Sequence, residues 1–174
     1  VSETFRRGAI SGDILEYIAD VTAQPPVNSD VRYALDLLLH AGNLAERQGT
    51  ERILPEHIRK VHGEISHQIT AEDILELPDE ERLVLLAVAR VLRNRKTPYI
   101  TFSEIQESSN LVAEEYRVRL RNVDRLLQDL CDRGIVQVKS LTQIGIADMP
   151  AEGVIKYLNS LVERVETGFK RRGS

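Results

Sequence analysis

Apolar residues recur at helical spacing in one segment of this chain after another, with turn residues between the segments. Ile14, Leu15, Ile18, Ala19 and Val21 predict a helix over 13–23, which Gln24-Pro25-Pro26 stops because proline lacks an amide donor and clashes with the preceding turn. A second helix is expected over 30–48. At about 100° per residue, Val31, Ala34, Leu35, Leu38, Ala41, Gly42 and Ala45 form one apolar arc, while Arg32, Asp36 and Asn43 gather on the solvent side. Asp30 is placed to cap the first free amides, and Gly49 to end the helix. Pro55 suits the first turn of a third helix, 55–68, carrying Ile58, Val61, Ile65 and Ile69. Together these helices make a bundle too small to be a complete enzyme domain.

The pattern breaks at Gln68-Ile69-Thr70-Ala71 and again at Leu77-Pro78, which predicts a connector and a domain boundary between residues 76 and 77. Pro78-Asp79-Glu80-Glu81 then opens a largely apolar helix through Leu83, Leu86, Ala87, Val91 and Leu92, expected to be deeply packed. Thr97–Phe102 is short and β-rich, and Thr101-Phe102-Ser103-Glu104 is a capping box for a short helix. A helix over 114–133 ending at Gly134, strand alternation over 135–139, and a second strand at Gly145 and Ile146 come next. Met149-Pro150 introduces a last helix, 151–166, with Val154, Ile155, Leu158, Leu161 and Val162 on its packing side. The expected fold is mainly α: a small helical bundle (1–76), then a winged helix-turn-helix with a short β-wing (77–168), then an irregular basic tail (169–174).

Within the helix expected over 114–133, Tyr116, Leu120, Val123, Leu126, Leu127 and Leu130 fall on one side, and Arg117, Arg121, Arg125 and Gln128 lie within about 80° of one another on the other. Three like charges at i,i+4 repel, and only Asp124 is near enough to offset them, so helix stability does not account for the stripe. DNA does: phosphates turn the repulsion into attraction, and arginine reads guanine bidentately. Arg119 borders the apolar arc and is expected to lie past the core edge, while Asn122 flanks the stripe. On the wing, Lys139, Ser140, Thr142 and Gln143 are candidate contacts to the minor groove or backbone, weaker than the helix because the wing is poor in cations.

Charge supports the division into two parts. Residues 1–76 hold seven Lys+Arg against thirteen Asp+Glu, and 77–174 hold sixteen against fourteen, within a total of −4. An acidic total does not exclude DNA binding, but it argues against indiscriminate coating of DNA. The lone Cys131 permits no intrachain disulfide and reads as a small buried hydrophobe. No run of about 18 apolar residues suggests a membrane span, and a soluble, intracellular (cytoplasmic, nucleoid-associated) protein is expected. His57, His62 and His67, spaced by five, spread around a helix instead of stacking as metal ligands, so neither a metal site nor a catalytic centre is expected.

Arg32 is the residue helix physics explains least. It stands in a first turn, against the dipole, with its i,i+4 partner Asp36 in the less favourable order. The run Asp30–Arg47, with Arg7-Gly8-Ala9-Ile10-Ser11-Gly12-Asp13-Ile14-Leu15 before it and Leu54-Pro55-Glu56-His57-Ile58-Arg59-Lys60-Val61 after it, resembles the lid of archaeal Orc1/Cdc6 replication initiators. These are AAA+ proteins whose lid presents a sensor 2 arginine to bound nucleotide. The resemblance spans nearly the whole chain, with moderately specific motifs in the lid and less specific ones in the winged helix. It implies that Arg32 contacts ATP or ADP, bound with magnesium in the full-length protein, and that the winged helix binds double-stranded origin DNA. It implies as partners an N-terminal AAA+ ATPase domain and the replicative helicase (MCM). The chain contains no G-x-x-x-x-G-K-[ST] phosphate-binding loop, so it reads as a non-enzymatic fragment of such a protein.

Two other classes remain open on sequence alone. A winged-helix transcription regulator dimerising through its N-terminal helices predicts two half-sites about one helical turn, or a multiple, apart. A protein-interaction domain would place the arginine stripe against a partner subunit.

Overall fold

The computed structural model describes residues 8–172 apart from 25, 26, 28, 67, 68, 141, 147 and 148, and for 162–172 it describes the backbone alone. Its first three helices are α1 (Gly12–Ala23), α2 (Val31–Arg47) and α3 (Pro55–Ser66). Pro25, Pro26 and the end of the third expected helix lie outside the described residues. Asp30 caps α2 by accepting from the amides of Arg32 at 2.8 Å and Tyr33 at 3.5 Å. The other end closes on Gly49 at φ +68°, with Thr50 N–H reaching Ala45 O and Gly49 N–H reaching Glu46 O, both at 2.9 Å. Ile14, Tyr17, Ile18, Val21, Leu37, Leu38, Ala41, Ala45, Ile53, Ile58 and Val61 form the bundle's core.

The apolar arc of α2 is rotated from its expected position. Val31 is 71% exposed and Leu35 is 47% exposed, because Leu37, Leu38, Ala41 and Ala45 take the inward positions. His57, at the start of α3, accepts from Leu54 N–H through Nδ1 at 3.1 Å and meets Gln48 Oε1 through Nε2 at 3.2 Å. Burial lowers its pKa, against an opposing pull from Glu56, and it serves as a local cap. Among the described residues no group of acidic, His and Cys side chains is arranged to hold a metal ion, and no helix is long and apolar enough to cross a membrane.

The segment expected as a connector contains a helix, α4 (Ala71–Leu75), opened by a capping box in which Thr70 accepts from Asp73 N–H and Asp73 accepts from Thr70 N–H. Ile74 and Leu77 are buried in the second core, so α4 packs with the winged-helix unit. That core is organised on α5 (Asp79–Arg95), in which Leu83 through Ala89 are all buried, as its apolar composition predicts. Around α5 pack α6 (Phe102–Glu115), α7 (Val123–Asp132) and α8 (Ala151–Arg172). The capping box at Thr101 and Glu104 is present as expected, with Thr101 Oγ1 accepting from Glu104 N–H. Helix α8 runs past its expected end at 166 to Arg172, since no proline occurs beyond Pro150; the supposed irregular tail is therefore helical to Arg172, and 173–174 lie outside the described residues.

The wing is an antiparallel pair, β1 (Gln137–Ser140) and β2 (Gln143–Gly145), with a register shift between Val138 and Ser140. Ile100 adds a bridge to Ile144, each amide donating to the other's carbonyl at 2.9 Å, so the β-rich 97–102 segment becomes a single-residue third strand. Helix, bridge, helix, turn, helix, hairpin is the order of a winged helix-turn-helix.

Candidate nucleic-acid interface

The helix expected over 114–133 is two helices. The first, α6, ends at Glu115 with Tyr116 as its C-cap, after which Arg117 takes a left-handed conformation (φ +54°). Val118 N–H returns to Ala113 O at 3.0 Å and Arg117 N–H to Glu114 O at 3.2 Å, a Schellman closure with arginine where glycine is usual. The second, α7, begins after Asn122, whose backbone is extended (φ −152°, ψ 97°) and whose Oδ1 accepts from Arg125 N–H at 3.1 Å. Leu120 and Val123, expected on one helical stripe, pack inward from the turn and from the helix start instead.

This break rearranges the candidate residues. Arg117 and Arg121 leave the helix and join Arg119 in the turn, where all three are exposed. Arg119, expected at the core edge, is therefore the basic residue the periodicity missed. Its signal was its place in the run Arg117-Val-Arg-Leu-Arg121, which alternates cation and apolar residue as an extended segment does. Arg121 is 90% exposed, with Glu80 at 3.9 Å, too distant and wet a pair to hold it. Arg125 and Gln128 stay on the exposed side of α7, but they share it with Asp124 and Asp132, and Gln128 Nε2 donates to Asp132 Oδ1 at 2.8 Å. The helix side alone is thus acidic on balance, and the positive charge is concentrated just ahead of its N-terminus.

Glycine at position 117 should relieve the left-handed strain, raising stability by about 1 kcal/mol and the melting temperature by a few degrees. The same Arg117→Gly substitution should weaken DNA binding several-fold. Thermal melting and anisotropy on one preparation check both; a lower melting temperature would contradict the role assigned to the turn.

On the wing, Ser140 and Gln143 are exposed neighbours in register, and Ser140 Oγ accepts from Thr142 N–H at 3.4 Å. Lys139 is elsewhere engaged. Its ammonium donates to Glu16 and, at 2.8 Å, to Asp20, both on α1, and it lies 5.1 Å from the centre of the Tyr99 ring. Its hydrogen bonds to Asp20 and then to Glu16 raise its pKa.

These contacts belong to a seam between the two units that local sequence patterns did not disclose. Arg59 lies at its centre, its side chain 1% exposed. It donates to Ile146 O at 2.8 Å, Pro98 O at 2.9 Å, Thr97 O at 3.0 Å and Glu56 Oε2 at 3.1 Å. Tyr17 OH donates to the same Ile146 carbonyl at 3.1 Å, and Tyr17 meets Tyr99 edge to face with ring centres 5.6 Å apart. Tyr99 OH donates to Asp20 Oδ2 at 2.9 Å; its pKa is raised, chiefly by burial and then by that bond. The other Glu56 oxygen accepts from Glu152 N–H, in the first turn of α8, at 2.8 Å. Gly145 backs the seam from within the winged-helix unit, because a Cβ there would stand 2.7 Å from Pro98 O and 2.9 Å from the Tyr99 ring.

Arg32 lies exposed in the first turn of α2, and among the described residues its guanidinium makes no hydrogen bond or ion pair. Cys131 is half-buried against the second core, and burial raises its thiol pKa, which suits packing and not nucleophilic attack.

Two family models match the chain: the Cdc6 AAA+ ATPase-type lid domain over residues 1–63 and the CDC6 C-terminal winged helix domain over 72–145. The ORC1-type DNA replication protein 1 of Sulfurisphaera tokodaii is 31% identical over 138 residues, 78% of this chain and 34% of that protein. Its counterpart from Aeropyrum pernix is 31% identical over 144 residues, 81% of this chain and 35% of that protein. The chain therefore spans about a third of the length of these curated relatives. Among solved structures, Cdc6p from Pyrobaculum aerophilum matches with a TM-score of 0.79 and 36% identity, over 91% of this chain and 44% of that one. With a helical lid and a winged helix in that order, each matched by its own family model, the chain belongs to the Cdc6/Orc1 family of replication initiators.

Proposed function

We propose that this chain is the DNA-binding portion of an origin-recognition initiator and that it grips duplex DNA with the turn 116–122 and the start of α7. The observation that carries the reading is the placement of Arg117, Arg119 and Arg121, exposed and immediately ahead of a capped helix in a winged helix-turn-helix. Helix-turn-helix proteins enter the major groove with the N-terminal residues of this helix, and guanidiniums placed there meet phosphates on both sides of the groove. Asp124 and Asp132 disfavour laying the whole side of α7 along the backbone, so entry is end-on. Arg125 and Gln128 then read base edges, while Ser140 and Gln143 contact sugar or phosphate from the wing. A salt series by fluorescence anisotropy tests this: binding should weaken steeply with salt, and its absence at low salt would overturn the reading.

In a longer protein that carried an AAA+ ATPase domain, Arg32 would contact the phosphates of ATP or ADP bound there with magnesium. A guanidinium that is exposed and makes no hydrogen bond or ion pair among the described residues suits an anionic group. Arg32→Ala should blunt the response of the full-length protein to ATP against ADP and leave this chain's DNA affinity within about twofold, a difference under about 0.4 kcal/mol. Loss of DNA binding here would contradict the assignment. Loading of the replicative helicase (MCM) by the whole protein belongs to the same family reading.

A further inference from the structure

We propose that Lys139 is a latent phosphate contact, held off DNA by Glu16 and Asp20 of the lid, whose carboxylates occupy the positions that phosphate oxygens would take. The inference rests on the DNA reading above. Lys139 is the only basic residue between Arg133 and Lys156, so whatever positive charge the wing offers DNA comes from this side chain. It sits on β1, next to Ser140 at the wing's end, yet it points its ammonium back across the seam to two acids one turn apart on α1.

The pair has the character of a reversible contact. Lys139 is 23% exposed, Asp20 30% and Glu16 65%, so water and ions reach it. Ion pairs this wet contribute little to stability and exchange readily. The seam beneath it is of another kind: Arg59 is buried with its donors on backbone carbonyls, and Tyr17 and Tyr99 pack edge to face. The lysine can therefore leave its acids while the two units stay joined. Asp20 also accepts from Tyr99, which ties it to the base of the wing and leaves Glu16 as the freer arm. DNA approaching the wing must compete with both carboxylates for Lys139 and is repelled by them until it wins. In this arrangement the lid sets how much of the wing joins the interface.

The test uses the whole chain. In Glu16→Gln/Asp20→Asn the asparagine can still accept from Tyr99, so the seam is kept, as thermal melting should verify. DNA affinity should rise about three- to tenfold, and the salt slope should steepen by roughly 0.9, one phosphate contact. Adding Lys139→Ala should abolish that gain, whereas Lys139→Ala alone should leave affinity within twofold of wild type. If Lys139→Ala alone weakens binding as much as Arg121→Ala does, the lysine is already on DNA and the proposal fails. It fails equally if the acid-neutralised variant keeps its gain without Lys139, since the acids then act by repulsion alone. A readout without DNA separates this proposal from the DNA reading. Acetylation of Lys139 by an amine-reactive ester, measured by mass spectrometry against exposed Lys156, should rise several-fold when Glu16 and Asp20 are neutralised. No rise would overturn the latch even if DNA binding stands, and a rise in a chain that ignores DNA would leave the carboxylate hold on Lys139 intact while removing its phosphate role.

Discussion

Alanine at Arg117, Arg119 and Arg121 together should lower affinity for duplex DNA on the order of a hundredfold near physiological salt and flatten the salt dependence by roughly 2.7 in slope, three phosphate contacts. Among the described residues, Arg121 alone of the three has an acid near it, and that acid is 3.9 Å away. Alanine at 117 stays in the left-handed region that arginine already occupies, so the fold should change little there. Arg125→Ala/Gln128→Ala should behave differently, relaxing sequence preference by about 1–3 kcal/mol per base position with a smaller change in salt slope. Salt-series anisotropy on matched and scrambled duplexes distinguishes the two. If the α7 pair controlled the slope and the turn did not, the helix would lie along the backbone and end-on entry would be wrong.

Arg59→Met should cost about 3–5 kcal/mol and divide one melting transition into two. Methionine fills much of the volume but supplies none of the four donated bonds, and it leaves the Thr97 and Pro98 carbonyls facing a buried apolar side chain. Ile146 O keeps Tyr17 as a donor and Glu56 keeps the α8 amide, so the loss should fall on the joint between the units and not on either core. The lid and the winged helix have separate cores, so each should melt as its own unit once the joint is weakened. Differential scanning calorimetry should show the lid transition moving down first. A single transition shifted as a whole would mean that the two cores are coupled by more than this arginine.

Legibility in the sequence tracks how local the determinant is. Asp30, Gly49 and the Thr101–Glu104 box act within one turn of helix, and each appears where the sequence indicates. Helix α5 was legible because its apolar run admits no other placement than burial. The break at 116–122 was obscured because Tyr116, Leu120, Val123 and Leu127 keep helical spacing across it and no glycine or proline marks it. The available signal was weaker: Asn122 two residues ahead of Asp124 is a cap with an acid in the first turn, and the i,i+4 repulsion of the arginines argued against a continuous helix. Thr70 with Asp73 is a capping signature too, obscured by the break in apolar periodicity at Gln68-Ile69-Thr70-Ala71 and the shortness of the helix it opens. The destination of Lys139 was beyond reach, since Glu16 and Asp20 are more than a hundred positions away and no local pattern pairs them.

Gly145 and Tyr99 carry a practical consequence for building chimeras between relatives. The stretch around residue 70 is the easy place to cut this chain, but Tyr99 is held from both sides of that cut, by Asp20 of the lid and by the close approach of Gly145 within the wing. A winged helix transplanted from a relative with a side chain at the Gly145 position would carry its own Pro98 and Tyr99 positions displaced, and with them the hydroxyl that Asp20 of the recipient's lid accepts from. Such hybrids should express and still behave as two beads on a string, so grafts should move the three positions together.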